Sequence, residues 1–437
     1  MRKLIFRFLE QNLTSSACAR RTQRALWSGL LAVSLAGCGT LEPGAPPEDS
    51  VLDGTVAGLS GPQRGVHAEG DAQFGRHFSA AEGVGPVFVA TSCDACHAGE
   101  GKGHPLFNIT RFGRMTVNGF DPMRSSGGPQ LQNRAVLGYF AEVLPNAATG
   151  VARFTAPAVT GLGLLEAVDD STLLRLADPD DRDGDGISGR VQLLSAGDLL
   201  ARVISLDAVA NDGTPTRGTL VDGKYIGRFG KKGVAVNLLH QVVTAYHEDM
   251  GLTTDLIPDE IFNPAVGAFT GDRTPEPEVS ASVVNAVTFY LKTLKAPPRR
   301  SPANADVLAG EQLFAAGGCA GCHMPSLRTG ASSLVTLNRV EFHPYTDLLL
   351  HDMGAALDDG YTEGRATTSE WRTAPLWGLG LAADFQGGAP ALIHDGRAKT
   401  ITDAIRLHGG EALASRSWFD RLAADKVSQL LAFLQSL

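Results

Sequence analysis

The chain has 437 residues, of which 43% are hydrophobic and 19% are charged, and its formal net charge is −9. This composition is too apolar and too weakly charged for a disordered chain, and the length predicts two or three domains. The acidic balance argues against a nucleic-acid partner, because phosphate backbones are bound by clustered Lys and Arg side chains.

The first 37 residues have the pattern of an export signal. Six basic residues precede an apolar run, residues 25–36, that is too short to span a bilayer. The run ends in Leu35-Ala36-Gly37-Cys38, which resembles a bacterial lipobox, whose cysteine becomes the lipid-modified first residue of the mature protein. An ordinary cleaved signal with an incidental cysteine is the alternative. Gly39 rather than Asp follows the cysteine, and by resemblance to the sorting rule of such lipoproteins this favours the outer membrane, facing the periplasm.

Removal of that signal would make the chain more acidic. The mature protein would keep 32 basic and 46 acidic residues, a net charge of −14, which favours a basic partner. Residues 38–68 are rich in Gly, Pro and Ala, and they predict a flexible tether between a lipid anchor on Cys38 and the first folded residues.

Four further cysteines form two motifs of the same kind. They are Cys93-Asp94-Ala95-Cys96-His97 and Cys319-Ala320-Gly321-Cys322-His323. Cys-x-x-Cys-His attaches c-type haem: both thiols bond the haem vinyl groups, and the adjacent histidine is placed to coordinate the iron. A redox dithiol, a zinc site or a disulfide is the alternative, but none of these requires a single His directly after each pair. The sequence therefore predicts two covalently attached c-type haems, with His97 and His323 as iron ligands.

An acidic turn lies between the two motifs. Asp181, Asp183 and Asp185, with Gly186 for the turn, resemble the start of a calcium-binding loop. Position 12 of such a loop would be Gln192 rather than a bidentate glutamate, so a further ligand must come from elsewhere, for example from Asp178 or a main-chain carbonyl. A solvated acidic turn is the alternative.

The helical pattern divides the chain into two haem-binding parts. A helix is predicted at 279–294, and Pro297-Pro298 ends it. The second part begins with a helix around 306–315, carries the second haem motif and ends in a helix through Val427 and Leu434. We therefore predict an N-terminal haem domain at 69–298 and a C-terminal cytochrome c-like haem domain at 299–437. Because no long stretch has a strand pattern, the expected fold class is mainly α, with long irregular loops around the haems.

Ten short strings stand out across residues 70–437. They include His351-Asp352-Met353-Gly354 and His408-Gly409-Gly410-Glu411-Ala412, and the others are residues 83–88, 156–166, 181–190, 227–230, 249–251, 344–347, 370–373 and 394–397. Together they resemble the bacterial di-haem oxidoreductase family, whose members are described as peroxidases and in part labelled thiol oxidoreductases. This family is similar to the bacterial di-haem cytochrome c peroxidases, in which one haem receives electrons and the other meets hydrogen peroxide.

The resemblance names one distal ligand for the second haem. Met353, 30 residues beyond His323, resembles in placement the methionine of the electron-accepting haem in the peroxidases, and a thioether ligand raises the reduction potential. The alternatives are His351 as the ligand, or Met353 as a core side chain. No His or Met has a comparable context for the first haem, which predicts an open or weakly capped position there.

The resemblance also names an acid–base pair for the first haem, on a helix predicted at 234–248. In the peroxidases a glutamine, and a later glutamate just before a methionine, line the distal pocket, and Gln241 and Asp249-Met250 resemble that pattern with a shorter spacing. A carboxylate suits the chemistry, because peroxide must lose a proton from one oxygen and gain it on the other. The alternative is that Glu248 and Asp249 form an exposed polar helix end. Where these families commonly hold a tryptophan between the haems, the chain has Lys231, a departure that would hinder transfer between haems.

Two functions therefore remain open from the sequence. One is a peroxidase that reduces hydrogen peroxide, or another small oxidant, with electrons from a small cytochrome or cupredoxin. The other is a non-catalytic, lipid-anchored electron carrier with two low-spin haems. Oxidation of an organic or protein substrate is a third possibility.

Overall fold

The fold combines short helices with small sheets. The computed structural model describes residues 51–210, 220–267, 271–272 and 274–437, so the predicted signal peptide, Cys38 and the start of the predicted tether lie outside the described residues. Within these ranges the α-helices are α1 (Gly61–Phe74), α2 (Leu162–Glu166), α3 (Asp170–Leu176), α4 (Asp198–Ala210), α5 (Leu238–Met250), α6 (Ala281–Thr293), α7 (Ala305–Ala316), α8 (Ala382–Phe385), α9 (Ile401–Leu407), α10 (Leu413–Phe419) and α11 (Ala424–Ser436).

The strands are short, and all strand pairs in the described part of the chain are antiparallel. The strands are β1 (Val87–Phe88), β2 (Ile109–Thr116), β3 (Gly119–Asp121), β4 (Arg134–Ala135), β5 (Gly150–Phe154), β6 (Gln192–Ser195), β7 (Lys224–Gly227), β8 (Leu327–Arg328), β9 (Glu341–Phe342), β10 (Leu350–Asp352) and β11 (Glu370–Arg372). The two-stranded sheets are β1–β4, β6–β7, β8–β9 and β10–β11, and a three-stranded sheet has the order β3–β2–β5.

The predicted mainly α class is wrong. The structure is 36% helical and 14% strand, which makes the class mixed. Most of the strands span two to five residues, and over such a length a period-2 hydrophobic pattern is not distinguishable from an irregular loop. The chain between the predicted helices therefore forms small ribbons as well as irregular loops.

Three helices lie where the sequence predicts helices: α6, α7 and α11. The helix predicted at 234–248 begins later, at Leu238, because the side chain of Asn237 caps it by accepting a hydrogen bond from His240 N. Helix α1 begins inside the stretch 38–68 that the composition predicts as a tether. A capping box explains that start, since the side chains of Ser60 and Gln63 each accept a hydrogen bond from the other's backbone N–H.

Two packed helix pairs lie against the histidines of the two Cys-x-x-Cys-His motifs. Helix α1 crosses α6 at Gly70, where a Cβ atom would lie 2.1 Å from the carbonyl of Ala286, and α7 approaches α11 just as closely at Gly310. From the first pair, the ring of Phe74 lies 6.1 Å from the ring of His97. From the second pair, the ring of Phe314 lies 6.4 Å from that of His323. Each haem motif is thus backed by its own apolar cluster.

The described residues from 51 onward form one unit by their contacts, and the predicted division at residue 298 stays a prediction. No helix among the described residues has the length and apolar character needed to cross a membrane.

Candidate haem and peroxide site

The first haem motif folds as a tight turn that presents both thiols and the imidazole together. The N–H groups of Cys96 and His97 both donate to the carbonyl of Cys93, at 3.1 and 3.0 Å. The Nδ1 of His97 lies 2.8 Å from the carbonyl oxygen of Pro157, so Nδ1 carries the proton and Nε2 keeps its lone pair. Burial lowers the pKa of His97 to about 4, which keeps the ring neutral at pH 7. A neutral, oriented imidazole is what an iron ligand requires.

The second motif repeats this arrangement. The N–H of His323 donates to the carbonyl of Cys319 at 3.0 Å. Its Nδ1 lies 3.0 Å from the carbonyl oxygen of Tyr345, and burial lowers the pKa of His323 to about 4. The thiols of both motifs are free rather than joined in disulfides.

Both motifs open onto one cavity of about 1440 Å³. A pocket for a single small-molecule ligand commonly measures roughly 300–1,000 Å³, so this cavity has room for more than one large group. The wall contains both thiols and the histidine of each motif: Cys93, Cys96, His97, Cys319, Cys322 and His323.

The predicted acid–base residues line the same cavity. Gln241, Glu248 and Asp249 all lie in its wall, on or at the end of α5. Glu248 forms an ion pair with Arg111 at 2.7 Å, and Glu363 lies on the other side of that guanidinium at 3.8 Å. The negative charge of Glu248 is therefore paired with the positive charge of Arg111.

Asp249 has a different environment from its neighbour. Its Oδ1 accepts a hydrogen bond from Gln130 Nε2 at 2.6 Å, and its main-chain carbonyl accepts from the N–H groups of Val89 and Ala90. Burial raises the pKa of Asp249 to about 6, because the hydrogen bond from Gln130 and the charge of Arg111 only partly offset the loss of solvent. This carboxyl group can therefore take up and release a proton near neutral pH.

On the side of the second motif, His351 is fully engaged by carboxylates. Its Nε2 lies 2.8 Å from Asp347 and its Nδ1 lies 2.8 Å from Glu411. Burial alone would lower the pKa of His351, but the hydrogen bonds to its neighbours outweigh burial and raise the pKa to about 12. Neither ring nitrogen is left with a lone pair for iron. Met353, the ligand predicted from sequence, lines the cavity and packs against the apolar cluster that contains Trp371, and its ligation stays a prediction.

The predicted calcium loop brings its three carboxylates together. One oxygen from each of Asp181, Asp183 and Asp185 lies within 4.8 Å of the others. The N–H of Gly186 donates to Asp181 Oδ1 at 3.2 Å, as a tight acidic turn requires. Gln192, the residue at position 12 of such a loop, has other partners: its Nε2 donates to the carbonyl oxygens of Lys232 and Glu363.

The comparisons with known proteins place the chain in a family. A family model described as "Di-haem oxidoreductase, putative peroxidase" matches residues 142–437. The chain belongs to this family. No curated protein matches it.

Two solved structures are similar to this di-haem oxidoreductase at a low level. A Kuenenia stuttgartiensis hydrazine synthase pressurized with xenon is 13% identical, with 98% of this chain and 100% of that chain covered and a TM-score of 0.33. The diheme peroxidase BthA from Burkholderia thailandensis is 16% identical, with 71% of this chain and 94% of that chain covered and a TM-score of 0.30.

The basic side chains at the cavity wall of this di-haem oxidoreductase fit the anionic propionates of haem. The side chain of Lys231 faces the cavity, and no described residue offers its Nζ a hydrogen bond or an ion pair. Burial, together with the charges of Lys102 and Arg372, holds the pKa of Lys231 well below its ordinary value. Such a cluster of cations needs anions when it is enclosed, and haem propionates are anions of the right kind.

The sequence analysis assigned no role to two residues of the site. Gln130 reaches Asp249 across 119 positions of the chain, and nothing local marks it. His408 lines the cavity beside the second motif, with its ring centroid 6.4 Å from that of His323. The glycines that follow His408 form a string shared with the family, which could have drawn attention to it.

Proposed function

We propose that this di-haem oxidoreductase reduces hydrogen peroxide at the N-terminal haem with electrons delivered through the C-terminal haem. When bound, the haem iron supplies the redox chemistry that breaks the O–O bond. One peroxide takes up two electrons and two protons to give two waters, so a reduced donor protein must provide both electrons.

The observation that carries this proposal is the carboxyl group of Asp249. It lies in the wall of the cavity that the first haem motif opens onto, and burial raises its pKa to about 6. At neutral pH it can accept the proton of one peroxide oxygen and return it to the other. Gln130 holds the carboxylate in place, and the amide of Gln241, in the same wall, is available to orient peroxide.

Steady-state peroxide consumption by the purified holoprotein, with a reduced small cytochrome or cupredoxin as donor, tests the proposal. We expect turnover that requires the donor, and a high-spin signal from one haem in electron paramagnetic resonance. Absence of turnover with every reduced donor, together with two low-spin haems, would overturn the proposal in favour of a non-catalytic electron carrier.

Trp371 is our candidate for the aromatic bridge that position 231 lacks. Its ring stacks on that of His394, with the centroids 3.6 Å apart and the planes at 8°. The carbonyl of His394 accepts a hydrogen bond from Thr155 N at 2.8 Å, and Thr155 lies two residues before Pro157, whose carbonyl binds His97.

The same tryptophan also adjoins the second motif. Trp371 pairs with His351 across the β10–β11 ribbon, and the Nδ1 of His351 lies 3.6 Å from the Sγ of Cys322. Trp371→Leu should therefore slow electron transfer between the haems more than Trp371→Phe, because only the second variant keeps an aromatic ring. Half-reduced protein followed by rapid-mixing absorbance measures this rate, and equal rates in both variants would remove Trp371 from the path.

We also propose that Asp181, Asp183 and Asp185 bind calcium. Asp178 supports this, because its Oδ1 is buried without a hydrogen-bond partner close to the same turn. Ser188, three residues after Asp185, donates from both its N–H and its hydroxyl to Glu411, the carboxylate that holds His351. A bound cation would thus stiffen the wall beside the second motif.

The location and the donor complete the proposal. We propose that a lipid on Cys38 anchors the protein at the outer membrane facing the periplasm, and that the donor is a small basic redox protein, because the mature chain is acidic. Cys38→Ala should abolish incorporation of labelled fatty acid and move the protein from the membrane to the soluble fraction.

A further inference from the structure

The ring of His408 stands opposite the proximal histidine of the second haem motif. The centroids of His408 and His323 are 6.4 Å apart, and the ring planes are tilted by 47°. The rings of Trp371 and His394, which do stack, have centroids only 3.6 Å apart. His408 and His323 are therefore not stacked on each other. Both rings lie in the wall of the haem cavity.

This separation matches two imidazoles on opposite faces of one iron. A transition metal bonds an imidazole nitrogen at about 2.0 Å, and the ring centre lies about 1 Å behind that nitrogen, which places the two centroids about 6 Å apart. The tilt is compatible, because each ring can rotate about its own metal–nitrogen bond.

The hydrogen bonds orient both rings for this role. The Nδ1 of His323 donates to the carbonyl of Tyr345 at 3.0 Å, and the Nδ1 of His408 donates to the carbonyl of Ala404 at 2.7 Å. In each ring the lone pair therefore sits on Nε2.

We propose that His408 is the distal axial ligand of the second haem, which makes that haem bis-histidine ligated. The alternatives named from the sequence are less well placed. Both nitrogens of His351 are held by Asp347 and Glu411 at 2.8 Å, and Met353 packs against the cluster around Trp371.

The chain after His408 is fixed firmly enough to position a ligand. Gly410 has a φ of +51°, and a Cβ atom there would lie 2.1 Å from the carbonyl of Asp352, so the turn requires glycine. Glu411 then accepts hydrogen bonds from Ser188 N and Asp352 N, both at 2.9 Å. The backbone that follows His408 is thus held between the end of α9 and the β10 strand.

This ligation predicts a lower reduction potential for the second haem than methionine ligation would give, because a thioether stabilises ferrous iron more than an imidazole does. The inference depends on the two haems of the family and not on peroxide turnover. Haem spectra therefore test it independently of the proposed function.

The test compares His408→Ala, His408→Met and Met353→Leu in the full-length holoprotein. Wild type and Met353→Leu should lack the near-infrared band of thioether-ligated ferric haem and keep the same low-spin signal and midpoint potential. His408→Ala should give a high-spin or water-ligated second haem that added imidazole returns to low spin. His408→Met should introduce the thioether band and raise the midpoint potential.

Haem content is the control for misfolding: every variant that is compared must retain two haems per chain by pyridine haemochrome analysis. A thioether band in wild type that Met353→Leu removes would overturn the proposal and make Met353 the ligand. An unchanged spectrum in His408→Ala would overturn it as well.

Discussion

Asp249→Asn is the most direct test of the proposed peroxide chemistry. The substitution keeps the size of the side chain and the oxygen that accepts from Gln130 at 2.6 Å, but it removes the proton-accepting carboxylate. Burial raises the pKa of Asp249 to about 6. The Asp249 carboxyl is therefore ionised in about nine tenths of the molecules at pH 7 and in about one tenth at pH 5. Peroxide must first give a proton to this base, so wild-type kcat/KM should fall about tenfold from pH 7 to pH 5.

The Asp249→Asn variant should turn over peroxide more slowly than wild type, and its kcat/KM should no longer fall between pH 7 and pH 5. General acid–base assistance is commonly worth about 10²–10⁴-fold, so turnover by Asp249→Asn should drop at least about tenfold at pH 7. Steady-state peroxide consumption between pH 5 and pH 8 measures the effect. Haem content and the spectrum of the second haem should stay unchanged, because Asp249 lies by the first motif.

Glu248→Gln is the matched control on the same helix end. It removes the partner of Arg111, so it should lower stability while keeping the turnover and pH profile of wild type. Gln241 and Glu248 are seven positions apart and share a helix face. An inactive Glu248→Gln beside an active Asp249→Asn would therefore shift the role to Glu248. Wild-type turnover in both variants would refute an acid–base role for either carboxylate.

Three other predictions follow from the described contacts. Pyridine haemochrome analysis should find two covalent haems per chain, and Cys93→Ala or Cys322→Ala should lose one; a single covalent haem in mature wild-type protein would contradict the two-motif assignment. His351→Gln should lower the free energy of unfolding by about 3–5 kcal/mol in urea titrations, because it leaves two buried carboxylates without their cation. Since the pKa of His351 is raised from 6.5 to about 12, its stabilisation is complete below pH 6.5 and is lost as the pH rises towards 12, so the difference between wild type and variant should shrink above neutrality. Replacing Asp181, Asp183 and Asp185 with Asn should abolish calcium binding in titration calorimetry of holoprotein, and an unchanged isotherm would place any bound calcium elsewhere.

The sequence by itself determined the features whose physical cause is local. Each haem motif spans five consecutive residues, and the chemistry of attachment depends only on their order. Helices α6 and α11 were predictable because their apolar residues recur at the helical period over about three turns. The family strings were likewise readable in order along the chain.

Tertiary structure alone decided the fold class, because the strands are too short for their pattern to show and form only when distant segments pair. It also decided the chemistry of each ionisable side chain. Asp249 and Glu248 are adjacent carboxylates, yet Gln130 binds one and Arg111 the other. Both partners are distant in sequence: Arg111 lies in β2, and Gln130 pairs with it in an isolated β-bridge. A pKa depends on burial and on such partners, which are set by long-range packing rather than by neighbours in sequence. Long-range packing also brings the rings of His323 and His408 together, since only the packed fold places the end of α9 beside the second haem motif.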